Sequence, residues 1–185
     1  MKTLLDLRAA MVKGIHDRIP DLKSCETHPG RFDLDELRTI ATRTPALRLA
    51  ILSVDRVAEI GNGETDWAVR FATFIVTLDQ NKLRRDDAAL NLVEGFLAIL
   101  PGQAWGQDNV HPLLPSEISG AQNLYSNRLS QHAVSIWAVT FTQRIRLGTD
   151  ILATDGTLPR DLYIGQSPKI GKAFEGDYIK GHAHA

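Results

Sequence analysis

The chain is short of several residue types and patterns, and each shortage excludes a class of protein. Cys25 is the single cysteine among 185 residues, so no internal disulfide can form and a reducing compartment is expected. Lysine and arginine total 21 against 22 acidic residues, and the net charge of −1 gives no general attraction to nucleic acid or to an anionic membrane. Asp6 and Arg8 interrupt the apolar N-terminal pattern, which therefore predicts neither a signal peptide nor a membrane span. We expect a soluble protein of the cytoplasm.

No residues have the spacing of a catalytic or metal site. Cys25 and His28 could begin a zinc site, but structural zinc needs four ligands and no second pair has matching spacing. Ser130 and His132 are not part of a nucleophile elbow. The Gly-Asn-Gly run at 61–63 lacks the glycine spacing of a phosphate-binding loop. We therefore predict no catalytic residues, no metal and no cofactor.

Hydrophobic spacing predicts three helices. Residues 2–18 form an amphipathic pattern that ends at Pro20. Asp33 can cap a second helix, with Glu36 as its capping-box partner, and that helix should end before Pro45. The third helix, residues 86–100, is apolar over more than one stripe, which predicts deep burial. Its expected core residues are Val93, Phe96, Leu97 and Leu100.

Alternating apolar residues predict a sheet. Its main strands are expected at 46–60, 65–78, 116–125 and 133–147, with a short extended piece at 23–29. The turn at 61–63 makes the first two main strands a β-hairpin. The predicted fold is α+β: a single domain with a mainly antiparallel sheet and the helices at 2–18 and 86–100 packed on one face.

Residues 133–147 and the segment after them suggest a protein that assembles with others. Both faces of this strand are semi-apolar, so its second face should be covered by a helix or by another subunit. The following segment is rich in glycine and proline and has only scattered apolar residues. We predict a domain over residues 1–148 and an extended C-terminal arm over 149–185. Contact with another protein should order the arm, although wrapping over its own domain is nearly as good an explanation.

Four side chains are candidate interface residues. Arg70, Arg144 and Arg146 lie within otherwise apolar strands, where an arginine is either paired at the rim of the sheet or directed at a neighbouring subunit. Trp137 lies on the longest strand. Arginine and tryptophan are favoured at the centres of interfaces, so these four are hypothetical contacts with another subunit or a partner protein.

Several short motifs, taken together, resemble a known family. They are Pro29-Gly30-Arg31-Phe32-Asp33, Arg43-Thr44-Pro45-Ala46, Leu100-Pro101-Gly102-Gln103-Ala104-Trp105-Gly106, Asn123-Leu124-Tyr125-Ser126 and Trp137-Ala138-Val139-Thr140-Phe141. In this order they resemble the Mu-like prophage tail proteins described as the tail terminator or tail completion group. The resemblance covers residues 1–148, and the motifs are turn and packing signals.

The resemblance implies a structural subunit without enzymatic activity. Such a subunit forms a ring, commonly a hexamer, that caps the head-proximal end of the tail tube. Its implied partners are further copies of itself, the tail tube protein, and a neck or connector protein. DNA would only pass through the lumen, no membrane would be involved, and the protein would reside in the virion tail or neck after assembly in the host cytoplasm.

Three other functions remain open at this point. One is a neck or head-completion protein on the connector side. Another is a small cytoplasmic enzyme with a shallow site around His28, Arg31 and Asp33, although this cluster also serves as the entry and cap of the second helix. The last is a binding module whose exposed sheet pairs with a partner strand.

Overall fold

The structure is a computed structural model that describes residues 3–30, 39–79, 84–124, 134–153 and 161–182. The chain divides into two compact units, residues 1–150 and 151–185, which are described separately. The first unit has the predicted α+β fold, with a mixed sheet and helices. None of the helices in the described ranges is long and apolar enough to cross a membrane.

Helix α1, Leu4–Arg18, begins at a capping box. The hydroxyl of Thr3 accepts a hydrogen bond from the backbone N–H of Asp6 at 3.2 Å, and the Asp6 carboxylate accepts one from the N–H of Thr3 at 2.7 Å. Two N–H groups that the helix cannot pair internally are thereby satisfied. Helix α2, Arg85–Ile99, carries Asp86 and Asp87 in its first turn, where the helix dipole favours negative charge.

The helix predicted between the first strand and Pro45 is described only at its end. Residues 39–41 are helical, and the chain leaves the helix before Pro45 as expected. The predicted cap at Asp33 and its partner Glu36 lie outside the described residues, so that part stays a prediction.

The strands match the predicted positions closely. In the first unit they are β1 (Ser24–Thr27), β2 (Ala46–Glu59), β3 (Glu64–Leu78), β4 (Ile118–Asn123) and β5 (Val134–Gly148). Short 3₁₀ turns occur at Pro115–Glu117 and Lys172–Asp177. The second unit contains β6 (Asp161–Ile164) and β7 (Ile179–His182), which pair antiparallel. The weak periodicity of the C-terminal segment gave no signal for this pairing.

The five strands of the first unit form one sheet in the order β1-β2-β3-β5-β4. β1 runs parallel to β2 over only four residue pairs, and the other neighbours are antiparallel. β2 and β3 are joined by the predicted tight turn, in which Gly61 and Gly63 adopt φ values of 78° and 93° that favour glycine. The expectation of a mainly antiparallel sheet is confirmed.

Both helices contribute to one core on the same side of the sheet, as predicted. Its members include Leu7, Met11 and Ile15 from α1, Val93 and Phe96 from α2, and Leu47, Leu49, Phe71, Ile75, Val139, Phe141 and Ile145 from the strands. Phe71 and Phe141 stack with ring centroids 5.4 Å apart, and Phe96 meets Phe141 edge-on at 6.2 Å. This aromatic cluster joins α2 to the two central strands.

The opposite face of the sheet is covered at one end within the same chain. Ile40, in the helical turn at 39–41, clusters with Ala46, Val76, Val134 and Ile136. This contact explains why Val134 and Ile136 on the second face are apolar, and it confirms that a helix covers part of that face.

An ion pair between a buried arginine and a half-exposed glutamate attaches β1 to β2 on the same side. Arg48 is buried, its Nη2 lies 3.2 Å from Glu26 Oε2, and its Nη1 donates to Ser24 Oγ at 3.1 Å. The arginine is thus satisfied by the strand that β2 pairs with, and removing Glu26 would leave the buried charge of Arg48 without its carboxylate partner.

Helix α2 is less deeply buried than its sequence predicts. Phe96 and Leu100 are fully buried and Val93 nearly so, but Leu97 is only partly buried against the core. Leu90 is 48% exposed. The expectation of deep burial around the helix is therefore wrong: one stripe is buried on the sheet, Leu92, Leu97 and Ile99 are only partly buried beside it, and Leu90 is exposed.

Replacing Phe96 by alanine should destabilise the protein strongly, because it removes a fully buried ring from the aromatic cluster. We expect Phe96→Ala to lower the free energy of unfolding by about 3–5 kcal/mol, measured by denaturant titration. Leu90→Ala on the open side of the same helix is the control and should change it by about 1 kcal/mol or less. Equal losses for the two variants would contradict this packing.

Candidate assembly interface

The loop between α2 and β4 folds back against β5. It begins with Leu100, which is fully buried, and turns at Gly102 and Gly106, whose φ values are 78° and 68°. Trp105 also has a positive φ, 55°, and its side chain is 7% exposed. A Cβ added to Gly14 of α1 would lie 3.0 Å from the Trp105 ring, so the absence of a side chain there gives the indole room. The Trp105 side chain therefore packs back against α1.

Gln143 is the residue that holds this loop. It lies on β5 with no exposed surface. Its Oε1 accepts a hydrogen bond from Trp105 Nε1 at 3.1 Å, and its Nε2 donates to the carbonyl oxygen of Gln103 at 3.2 Å and to that of His111. One buried amide therefore satisfies the indole N–H and two loop carbonyls, which would otherwise be costly to bury.

Backbone hydrogen bonds extend the same attachment along β5. The N–H of His111 donates to Arg144 O at 3.0 Å, and the N–H of Arg146 donates to Asn109 O at 2.7 Å. Val110 and Ile145 form a β-bridge between them. β4 pairs with residues 137–141 of β5, and the loop between α2 and β4 pairs with residues 144–146 of the same strand. The outer edge of β5 is thus paired on both halves.

The opposite side of the sheet ends in an edge that is paired over only part of its length. β1 pairs with residues 46–49 of β2, and in the described ranges no strand pairs with residues 51–59 on that side. We call residues 51–59 the open β2 edge. Leu52, Val54 and Val57 on this edge are exposed, as is Ile60 just beyond it. A long, apolar edge strand is a ready template for another strand.

The other two free edges are less suited to such pairing. β1 has only four residues. β4 has six, and the side chains after Ile118 are small or polar. Short and polar edges are the ordinary protection against strand addition. The open β2 edge is longer than β1 or β4 and exposes more apolar side chains, but it also carries Asp55, Arg56 and Glu59 and two register shifts against β3.

Two of the predicted interface arginines have acidic partners in their own subunit. Arg146 forms a two-pronged pair with Asp66, its cross-strand neighbour, with Nε–Oδ1 at 2.8 Å and Nη2–Oδ2 at 3.2 Å. The hydrogen bond from Arg146 lowers the pKa of Asp66 below its usual value, and His111 Nε2, 3.6 Å from Asp66 Oδ2, adds to the lowering. Arg144 Nε lies 3.1 Å from Glu117 Oε1.

Arg70 differs from the other two arginines. Its side chain is exposed and makes no hydrogen bond or ion pair with the part of the chain that the structure describes. It lies opposite Thr142, so its side chain shares the face that carries Arg144 and Arg146. That face is the one turned away from the two helices.

Trp137 lies on the other face of β5. It is partly buried against the core that the helices cover, between its cross-strand neighbours Ile75 and Asn123. The structure therefore brings the three arginines to one face and places the tryptophan on the opposite one. The role of all four in an interface stays a prediction.

Of the side chains considered for catalysis or metal binding, Cys25 and His28 lie within the described ranges, whereas Ser130 and His132 lie outside them. Within the described residues no group of three or more His, Cys, Asp or Glu side chains is placed to hold a metal ion. The Cys25 thiol donates to Val12 O at 3.4 Å, and burial raises its pKa to about 12, which makes it a poor nucleophile. His28 is buried and its Nδ1 accepts from the N–H of Gly30 at 2.9 Å. Arg31 and Asp33, its companions in the enzyme hypothesis, lie outside the described ranges.

Comparison with known families identifies the first unit. A family model described as bacteriophage Mu, Gp37 matches residues 4–145, which is most of the chain. The chain belongs to the bacteriophage Mu Gp37 family. This membership makes it a phage structural protein associated with the virion and does not point to an enzyme. No curated protein matches the chain.

The Gp37 match covers the motifs on which the resemblance was based, and the structure gives several of them a physical role. The Leu-Pro-Gly-Gln-Ala-Trp-Gly run forms the loop held by Gln143. The Trp-Ala-Val-Thr-Phe run is the part of β5 that pairs with both β3 and β4. These residues build the sheet and its covered edge. The match ends at β5, so residues 146–185 lie beyond it.

The sequence analysis missed two features of this region. A glutamine in an apolar strand gives no sign of its partners, so Gln143 could be found only through the loop that it binds. The open β2 edge depends on how short β1 is. The available signal was the difference in predicted length between these two strands. The extended piece at 23–29 is much shorter than the strand at 46–60, so it could pair with only part of that strand.

Replacing Gln143 by methionine should destabilise the protein while nearly conserving side-chain volume. It leaves the Trp105 N–H and two carbonyls without their partner, and one buried unsatisfied group costs about 1–3 kcal/mol. We expect Gln143→Met to cost at least that much in thermal or denaturant unfolding. Gln122→Met, the same change at an exposed site on β4, is the control and should have little effect. A loss no larger than the control's would show that the amide does not hold the loop.

Proposed function

We propose that this protein is a tail terminator subunit: it forms a ring that caps the head-proximal end of the phage tail tube and joins the tube to the neck. The observation that carries the proposal is the Gp37 family match over residues 4–145, which contains the whole five-stranded sheet except the last residues of β5. The resemblance of its motifs to the tail terminator group supports the finer assignment.

The mechanism needs only binding. A subunit that adds to the last ring of the tube and presents a different surface on its upper side stops further addition, because the next tube subunit finds no matching contacts. Side-by-side contacts between different surfaces of identical subunits close into a ring when the rotation between them is an integral fraction of a turn. A hexamer is the expected ring, and DNA would only pass through its lumen.

The asymmetry of the sheet supports contacts of this kind. At one end of the sheet, β4 and the loop held by Gln143 cover β5 and leave a short, polar outer edge, while the open β2 edge at the other end exposes apolar side chains. A subunit with unlike ends is suited to head-to-tail association, in which each copy uses two different surfaces.

The candidate contact residues can be ordered by their availability. Arg70 is the strongest candidate for the tube or a neighbouring subunit because it is exposed and unpaired within the described residues. Arg144 and Arg146 have carboxylate partners of their own, so a contact through them would have to keep or replace those pairs. Trp137 is only partly accessible and would contact a partner on the helix-covered side.

The proposal is tested by removing the protein during phage assembly and imaging the products by electron microscopy. We expect tails whose lengths exceed the normal value and vary widely, because nothing stops tube growth. Supplying the wild-type protein from a plasmid should restore a single length, and an Arg70→Ala protein should restore it less well than an Arg8→Ala protein.

Other outcomes would identify other functions. Tails of normal length beside filled, unattached heads would contradict termination and indicate the neck or head-completion protein. Normal virions together with a changed metabolite pool would contradict a structural role and favour the small enzyme.

A further inference from the structure

We propose that strand β7 of one copy pairs with the open β2 edge of a neighbouring copy, so that the C-terminal hairpin, β6 and β7, links adjacent subunits. The inference rests on the proposed ring, because it names the contact that would join its subunits. It assigns a role to the part of the chain that the family match does not cover.

The C-terminal hairpin has no core of its own. Among the described side chains at 151–153 and 163–180, not one is buried. Ile164 and Ile179 lie directly opposite each other across the hairpin and are 54% and 73% exposed. An apolar cross-strand pair in solvent gains little until another surface covers it.

The hairpin nevertheless has a defined shape. The Tyr178 hydroxyl accepts a hydrogen bond from the N–H of Gly171 at 2.6 Å. A Cβ on Gly165 would lie 2.6 Å from the Tyr178 ring, so glycine is required for this packing. Lys169 and Asp177 form an ion pair at 3.2 Å across the connection. A two-stranded hairpin is at best marginally stable in water, and a third strand would complete it.

The open β2 edge has what such a hairpin needs. Its backbone groups on the outer side have no strand partner in the described ranges. Val57 is 46% exposed and Leu52 is 48% exposed, so apolar side chains accompany the free backbone. Main-chain hydrogen bonds provide affinity when a strand is added to a sheet edge, and alternate side chains provide specificity.

Charge and chain length favour a second copy as the occupant. Residues 51–59 carry Asp55 and Glu59 against Arg56, a net charge of −1, whereas β7 carries Lys180 and no acidic residue. The 12 residues 149–160 join β5 to β6. Fully extended, they span at most about 40 Å, so the connection does not restrict β7 to the sheet of its own copy. Because the edge and the hairpin are different surfaces of the same chain, their pairing is head-to-tail and can close a ring.

The first test measures association of the full chain by sedimentation velocity over a concentration series. Val57→Asp on the edge and Ile179→Asp on the hairpin should each weaken association by about tenfold or more, because each places a charge in the contact. Leu90→Asp, which adds the same charge to an exposed leucine on α2, should leave association unchanged. Wild-type protein that stays monomeric at every concentration, or equal effects for all three variants, would overturn the inference.

The second test identifies the contact by disulfide cross-linking. Val57→Cys protein is mixed with Ile179→Cys protein under mild oxidation, and the expected product is a covalent dimer containing one chain of each kind. Native Cys25 should stay reduced, because burial raises its pKa to about 12. Leu90→Cys mixed with Ile179→Cys is the control and should give no such product.

A chain carrying both Val57→Cys and Ile179→Cys separates the two possible positions of the hairpin. A cross-linked monomer at high dilution, with no dimer from the mixed single variants, would show that the hairpin folds onto its own edge and would overturn the inference. The role in tail termination would survive that result, since the phage assembly experiment tests it independently. Conversely, a cross-linked dimer together with normal tail lengths in the deletion phage would uphold the contact and contradict the proposed function.

Discussion

The pairing of β3 with β5 is the interaction on which the rest of the first unit depends. These two strands of 15 residues pair along their full length without a shift of register, from Glu64 opposite Gly148 to Leu78 opposite Val134. Strict alternation along so long a ladder sends one set of side chains toward both helices and the other set away from them. It also fixes Asp66 opposite Arg146 and Phe71 opposite Phe141, so the charged pair and the stacked rings are consequences of one register.

The two neighbours of this ladder differ, and the difference gives the subunit its unlike ends. On the β5 side, β4 and the loop held by Gln143 together pair with the strand over most of its length. On the other side, β2 has 14 residues and pairs with β3 along nearly all of them, but the four residues of β1 pair only with the beginning of β2. Apolar side chains on an uncovered edge are unfavourable for an isolated protein. Such a surface is more readily explained in a subunit that meets another copy.

Much of the fold could be predicted from the sequence because its signals are local. The glycines at 61 and 63 indicated the hairpin, and apolar spacing located both long helices within about one or two residues. The degree of burial of α2 could not be obtained in this way. The number of apolar positions around a helix shows how much surface it could bury. How much is buried depends on the tertiary packing, which leaves Leu90 exposed to solvent.

The candidate interface was less accessible to sequence reasoning because it depends on long-range pairing. In the sequence Arg144 and Arg146 look the same as Arg70, and only the strand register and the approach of Glu117 distinguish them. Gln143 is in a similar position, since its partners lie 32 to 40 residues away in the chain. Which of these residues contacts a neighbour is a property of the assembly and not of one chain.

Hydrogen exchange of the backbone amides tests most directly whether the open β2 edge is an assembly contact. The rates for residues 51–59 would be compared between the dilute chain and the assembled ring, with β4, the polar edge at the other end of the sheet, as an internal reference. The account predicts that amides of the β2 edge become protected on assembly while those of β4 keep their rates. Unchanged exchange at 51–59 in the assembled ring, with new protection on β4, would contradict it.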